Sequence, residues 1–249
     1  MKKILFLLLI IANSVIAQDA DSLFVSANNL YKVEKYTEAI EKYKKIEALE
    51  VVSTDLFYNL GNSYYKLNKV GPAIYYYEKA LILDPLNEDV KNNLVFAKRL
   101  ALDNIEELPK TVLQKINSNY LQKLSYNQWA IIVVIFSFLG SLLFLLFYFS
   151  ETPLKKRLFF ITSIASFFFL IVSLFITYNQ YNFSKKNKAA IIFAEKTEIR
   201  NAPTLNSEEV FTLHEGTKVI VLDSVDNWKK IKLADGKQGW IIATEIKEL

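Results

Sequence analysis

Histidine occurs once in this 249-residue chain, as His214, and cysteine is absent. Imidazole bases, thiolate nucleophiles and the common zinc-type sites all draw on those two residue types, so any catalysis would rest on carboxylates alone. The carboxylates are scattered over charged helix faces with no pair standing apart, and no glycine-rich phosphate loop occurs. The sequence therefore predicts no enzyme, no metal and no cofactor. His214, beside Glu215, reads as a surface residue. What recurs is hydrogen-bonding chemistry: Asn28, Tyr31 and Lys32 return 34 residues later as Asn62, Tyr65 and Lys66, with Asn59 close by. An amide, a phenol and an ammonium in register offer donors, acceptors and ring faces to an extended peptide or a partner helix. The alternative is a face kept polar for solubility, and the residues alone leave both open.

The same 34-residue shift lays Leu23 on Phe57, Ala27 on Gly61, Ala39 on Ala73 and Tyr43 on Tyr77, which predicts two copies of a helix pair, about 20–53 and 54–87. Small residues let paired helices approach, the tyrosines fill the gap, and Pro85 stops the last helix. Tyr75, Tyr76 and Tyr77, with Tyr64 and Tyr65, read as core packing. A helix over 87–100 presents Val90, Leu94 and Ala97 inward and ends in Lys98 and Arg99, as a capping helix would. Phe57, Leu60, Gly61, Tyr64, Ala73, Tyr77, Ala80 and Pro85 resemble the tetratricopeptide repeat family. The resemblance implies an all-α repeat domain over 19–107 whose first helices line a concave face, with Asn28, Tyr31, Lys32, Asn59, Asn62, Tyr65 and Lys66 as partner-binding candidates. Members that grip a terminal carboxylate have basic residues where this chain has Phe24, Asp89 and Asn93, so that mode is not expected.

Two uncharged apolar runs, Leu124 to Ser150 and Leu158 to Ser184, each exceed the roughly 20 residues a helix needs to cross a bilayer. They predict spans over 126–150 and 158–184 joined by a connector over 151–157, with Trp129, Tyr148, Tyr178 and Tyr181 near their ends, at headgroup depth. No ionisable residue lies inside them, which argues against a transporter or pump. Small residues Ser137, Gly140, Ser141, Thr162 and Ser166 would close the hairpin or admit another helix. Ahead of the spans, 109–125 reads as an amphipathic helix, with Val112, Leu113, Ile116, Tyr120 and Leu124 among Lys110, Lys115 and Lys123. It suits a membrane surface, or a docked position on the repeats.

Lys2 and Lys3, nine apolar residues from Ile4 to Ala12, and Ala17 before Gln18 predict a signal peptide over 1–17. Cleavage there places both polar segments outside the cytoplasm and Lys155, Lys156 and Arg157 inside, as the positive-inside rule requires; Lys185, Lys186 and Lys188 depart from it. An uncleaved signal would add a third span and reverse the C-terminal segment. The formal charge of +4 is not concentrated on either module: Gln18 to Glu107 holds 15 acidic and 11 basic residues, and Lys185 to Leu249 holds 10 and 11. Nucleic-acid binding is not expected.

From Ala189 the period changes to two, with turns at Asn201-Ala202-Pro203, Glu215-Gly216, Val225-Asp226-Asn227 and Asp235-Gly236. Short strands at this spacing predict a small all-β barrel of about five to seven strands over 188–249. Ile199-Arg200-Asn201-Ala202-Pro203, Trp228 and Gly239-Trp240-Ile241 resemble a bacterial SH3 domain, which implies a shallow aromatic groove for wall peptides or protein segments. Phe211, Trp228 and Trp240 are its candidates, as platform residues or as plugs of the barrel. The whole order, signal, repeats, membrane hairpin and SH3-like barrel, resembles the BatE family of the Bacteroides aerotolerance operon. That resemblance implies a periplasm-facing inner-membrane scaffold linked to envelope or oxidative stress, with von Willebrand factor A proteins and a MoxR-type ATPase as partners. A sensor or anchor whose barrel binds peptidoglycan is the alternative.

Overall fold

The computed structural model describes residues 19–249; the expected signal peptide lies outside them. Two compact units result, one joining the segment up to Leu108 with Lys188–Leu249, the other comprising Pro109–Asn187.

In the first unit the repeats form five helices among the described residues: α1 (19–32), α2 (Tyr36–Ala48), α3 (Thr54–Lys66), α4 (Val70–Leu83) and α5 (Glu88–Lys98). The 34-residue period reaches the helix ends. Ser53 accepts the Leu56 N–H at 3.1 Å to cap α3, and Asn87 accepts the Val90 N–H at 3.1 Å to cap α5. Glu34 and Asn68 take left-handed backbone, φ 62° and 55°, in the two equivalent turns. Ala27, Ala39, Tyr43, Leu60, Ala73, Tyr76, Tyr77 and Ala80 are buried together. A side chain at Gly61 would place its Cβ 2.6 Å from the Tyr77 ring, so only glycine admits this packing of α3 on α4.

The C-terminal segment forms one antiparallel sheet of seven strands: β1 (Lys188–Ile192), β2 (Lys196–Arg200), β3 (Glu209–His214), β4 (Lys218–Val225), β5 (Trp228–Lys232), β6 (Gln238–Ile242) and β7 (Ile246–Glu248). The spatial order is β3-β2-β6-β5-β4-β1-β7. All seven strands feed one core, from Ala190 and Ile192 through Ile199, Leu213, Val219, Ile231 and Ile241 to Ile246, which requires the sheet to curl on itself.

Strand β1 is apolar on both faces. Ala190 and Ile192 enter the barrel core, whereas the intervening Ile191 is fully buried among the repeats and Phe193 packs beside it. Phe193 meets Tyr75 of α4 edge to face at 5.5 Å, and the Gly71 N–H donates to Glu215 at 3.3 Å. Gly216, at φ 86°, lies under Val70 and Ile74 where a Cβ would come within 2.9 Å of Ile74. Glu78 of α4 is 7 % exposed and receives Lys218 of β4 at 2.6 Å and Lys98 of α5 at 3.0 Å. Burial alone would raise its carboxyl, but the two ammonium groups outweigh that and hold it below its ordinary value. The repeats and the barrel are therefore one folded body with a continuous apolar interface.

The second unit holds α6 (Val112–Asn119), a short 3-10 turn (Leu121–Lys123), α7 (Tyr126–Phe149) and α8 (Pro153–Lys186). Both α7 and α8 are long and apolar enough to cross a membrane. Of their most apolar stretches only 6 % and 17 % is buried, where a core helix of a soluble protein would be mostly buried. Ser163 donates to the Gly140 carbonyl at 3.1 Å, Phe136 stacks on Phe169 at 5.6 Å, and Ser166 and Ser173 are buried between the helices. The closing small residues are thus Gly140, Ser163, Ser166 and Ser173; Ser137 and Ser141 are exposed, because the facing side of each helix is offset from the expected one. Two boundaries also move. Lys155, Lys156 and Arg157 belong to the first turns of α8, since Pro153 suits a helix start, and the segment expected as one helix over 109–125 breaks at Tyr120. Val112, Ile116 and Tyr120 are exposed.

If β1 welds the repeats to the barrel, Ile191→Ala should cost about 2–5 kcal/mol and lower the denaturation midpoint of helical and β signals together. Urea titration followed by far-ultraviolet dichroism and by tryptophan emission, which in a Trp129→Phe background reports on the barrel through Trp228 and Trp240, measures both.

Candidate functional site

The asparagines of the repeats are tied into a ladder with the period of the sequence. Asn28 Oδ1 accepts the Tyr43 hydroxyl at 2.6 Å and the Asn59 amide at 3.1 Å. Asn62 Oδ1, one repeat on, accepts the Tyr77 hydroxyl at 2.7 Å and the Asn93 amide at 2.8 Å. Each bond links the two helices of a pair or joins one pair to the next, so these groups set repeat spacing. Burial pushes the Tyr43 phenol up to about 12 and that of Tyr77 higher still, keeping both protonated as donors.

Next to the second rung lies a cleft of about 280 Å³ lined by Tyr31, Tyr58, Asn62, Tyr65, Lys66, Asn93 and Phe96. Four of the seven sequence candidates meet here: Tyr31, Asn62, Tyr65 and Lys66. Asn28 and Asn59 are instead held in the first rung, and Lys32 is exposed outside the lining. Tyr58, Asn93 and Phe96 went unforeseen, although Asn93 lies one period after Asn59. Both lone pairs of the Asn62 carbonyl are engaged, so this amide retains its donor end for a ligand. Together with Lys66, the phenols and a half-exposed Phe96, the cleft suits a segment offering acceptors and one apolar side chain.

A second polar cluster lies on α2 and α4. Glu47 receives Lys79 at 2.7 Å, Lys44 at 2.9 Å and the Tyr76 hydroxyl at 2.9 Å. Burial would raise its carboxyl, but these hydrogen bonds hold it down at about 2, from an ordinary 4.5. Lys79 also lies 4.0 Å from the Phe57 ring centroid. Each group is spent on a neighbour, which marks the cluster as structural.

On the barrel the three aromatic candidates separate. The pairings Trp228 with Ile242 and Lys230 with Trp240 put both tryptophans on the outward side of β5 and β6, half-buried, with Lys230 between them. Ile231, Gly239 and Ile241 take the inward positions, so the tryptophans do not plug the barrel. Phe211 pairs with the inward-facing Ile199 and packs at the edge of the core, on the opposite side of the sheet.

His214 also departs from expectation. Its Nδ1 lies 2.8 Å from Asp103 Oδ1, and Asp103 Oδ2 accepts the His214 backbone N–H at 2.7 Å and the Thr217 hydroxyl at 2.6 Å. Asp103 comes from the segment after the repeats, a partner that sequence proximity to Glu215 could not suggest. Thr217 bonds the aspartate rather than the imidazole, so the three do not form a nucleophile with its base. Among the described residues no three His, Asp or Glu side chains converge to hold a metal.

Comparison with known families agrees with this anatomy. Residues 54–87 match the tetratricopeptide repeat, and residues 195–247 match the bacterial SH3 domain. The first match covers α3 and α4, and the second all the strands but β1. No curated protein matches the chain.

Because the folded-state carboxyl of Glu47 is depressed, its contribution to stability is complete above about 4.5 and lost as pH falls toward about 2. Glu47→Gln should flatten the stability profile in that window, as measured by urea midpoints at successive pH values, and leave cleft binding at neutral pH unchanged.

Proposed function

We propose that the protein is a membrane-anchored, non-catalytic adaptor whose repeat cleft binds a segment of another protein. The carrying observation is the cleft at Tyr31, Tyr58, Asn62, Tyr65 and Lys66, which gathers donors and rings from both repeats while the core hydrogen bonds stay satisfied. Its tetratricopeptide and SH3 modules are both interaction folds, and neither polar cluster is arranged for chemistry.

In this reading α7 and α8 cross the inner membrane as a hairpin, α6 lies along its surface through the exposed Val112, Ile116 and Tyr120, and the fused repeats and barrel face the periplasm. The buried contacts of β1 with the repeats support the common compartment, because such an interface cannot form across a bilayer. The expected signal peptide supports the periplasmic side. The order of segments supports a Bat-type complex of the aerotolerance or envelope-stress kind, with von Willebrand factor A proteins and a MoxR-type ATPase as partners.

A second reading is favoured by the outward Trp228 and Trp240 with Lys230 between them: a platform on which the barrel holds a peptidoglycan strand or wall peptide.

Capture from detergent-solubilised membranes tests the first reading. The double variant Tyr65→Ala/Lys66→Ala should retain the fold and recover about tenfold less of the co-purifying protein, a loss of the size expected for one or two central contact residues. Equal recovery would exclude the cleft. An alkaline-phosphatase fusion after Leu249 should be active; inactivity would place the barrel in the cytoplasm. Pelleting with purified sacculi that is lost in Trp228→Ala/Trp240→Ala would establish the second reading instead.

A further inference from the structure

The segment 101–108, between α5 and the membrane unit, forms no helix or strand, yet it is fastened to the barrel along its length. Asp103 places a carboxylate against three donors of the β3–β4 turn: the His214 backbone N–H at 2.7 Å, the Thr217 hydroxyl at 2.6 Å, and His214 Nδ1 at 2.8 Å, whose proton bridges the pair. Two residues on, Ile105 packs on the barrel core beside Phe211. Leu108 donates its N–H to the Ala234 carbonyl at 3.2 Å and lays its side chain over Gly236. Anchors two and three residues apart, on a segment without helix or strand, resemble an extended peptide held in a groove, with its main chain engaged at one end.

Two features distinguish this from simple linker packing. The donors belong to the barrel and converge on a carboxylate that the barrel does not itself provide. Thr217 is only 6 % exposed, so loss of Asp103 would leave a buried hydroxyl and a turn N–H unpaired. The strap also leaves room: a cleft of about 500 Å³ runs between it and Phe211, Leu233, Asp235 and Lys237.

We infer that this face of the barrel is a peptide site for an extended segment carrying an aspartate two residues before a branched aliphatic residue, and that the strap 101–108 is its intramolecular occupant. The site is separate from the repeat cleft and from the outward tryptophans. An incoming segment of that chemistry displaces the strap by supplying the same carboxylate and aliphatic anchor. Binding then loosens the tie between barrel and repeats at Asp103, while β1 keeps the two joined. The occupant lowers apparent affinity by the fraction of time the groove is free, so occupation in cis acts as a threshold on partner concentration.

The probe is a fluorescein-labelled synthetic octapeptide, Ala-Leu-Asp-Asn-Ile-Glu-Glu-Leu, added to the full chain in detergent and followed by anisotropy. Asp103→Ala/Ile105→Ala, which releases the strap, should bind it at least about tenfold more tightly than the unaltered chain. The same peptide with Asn in place of its aspartate should not bind. A released variant with native dichroism that binds no better, or that binds both peptides alike, overturns the inference. The unaltered chain gives an independent reading that does not depend on the variant folding. Excess peptide should accelerate hydrogen exchange at the Leu108 amide, and unchanged exchange under millimolar peptide contradicts displacement.

Discussion

A single strand, β1, is buried on two sides, and the architecture follows from that constraint. Its residues alternate between two cores that are remote in sequence: Ala190 and Ile192 in the barrel, Ile191 among the repeats, where Phe193, just past the strand, meets α4. Apolar side chains on both faces leave no solvated side, so β1 is stable only where repeats and barrel meet. Lys188–Leu249 must therefore rejoin the body formed by the segment up to Leu108. An odd number of membrane crossings between the two would put the halves of one dry interface on opposite sides of a bilayer, and the helices long and apolar enough to cross, α7 and α8, are two among the described residues.

Polar contacts around this seam fix its geometry more than its strength. Glu78, almost fully buried, is paired with Lys98 from the repeats and Lys218 from the barrel, and removal of both cations would strand a charge. Asp103 is likewise committed to the turn at His214 and Thr217; burial would raise its carboxyl, and the hydrogen bonds from those residues keep it low. Two carboxylates from the repeat side with partners on the barrel side give the docking one register. The cleft on the repeats and the cleft beside the barrel are thereby held in one folded body.

The repeats were readable because helix pairing is local: a 34-residue shift in Ala, Gly and Tyr positions encodes which faces touch. The asparagine ladder obeys the same shift through Asn28, Tyr43 and Asn59 and then Asn62, Tyr77 and Asn93, but spacing does not reveal these bonds, and Asn28, Asn59 and Asn62 read from sequence as partner-binding residues. The strands and their turns were legible from alternation and from Asp235-Gly236. What could not be read was contact between distant segments. Ala189 to Phe193 is an unbroken apolar run, a sign of burial on both faces, but nothing in it names the repeats as the second neighbour. His214 found its partner 111 residues away, and the offset of the helix pair that buries Ser163 rather than Ser137 depends on a crossing geometry that spacing alone does not fix.

Native-state hydrogen exchange tests the central constraint most directly. Amides deep in the repeats, such as Tyr77 and Ala80, and amides of the barrel, such as Ile192 and Ile241, should open with one common free energy and one common denaturant dependence, because the two modules share a core through β1. Separate openings, with the barrel exchanging while the repeats remain protected, would mean that the modules are independent domains in contact and that β1 does not hold them as one body.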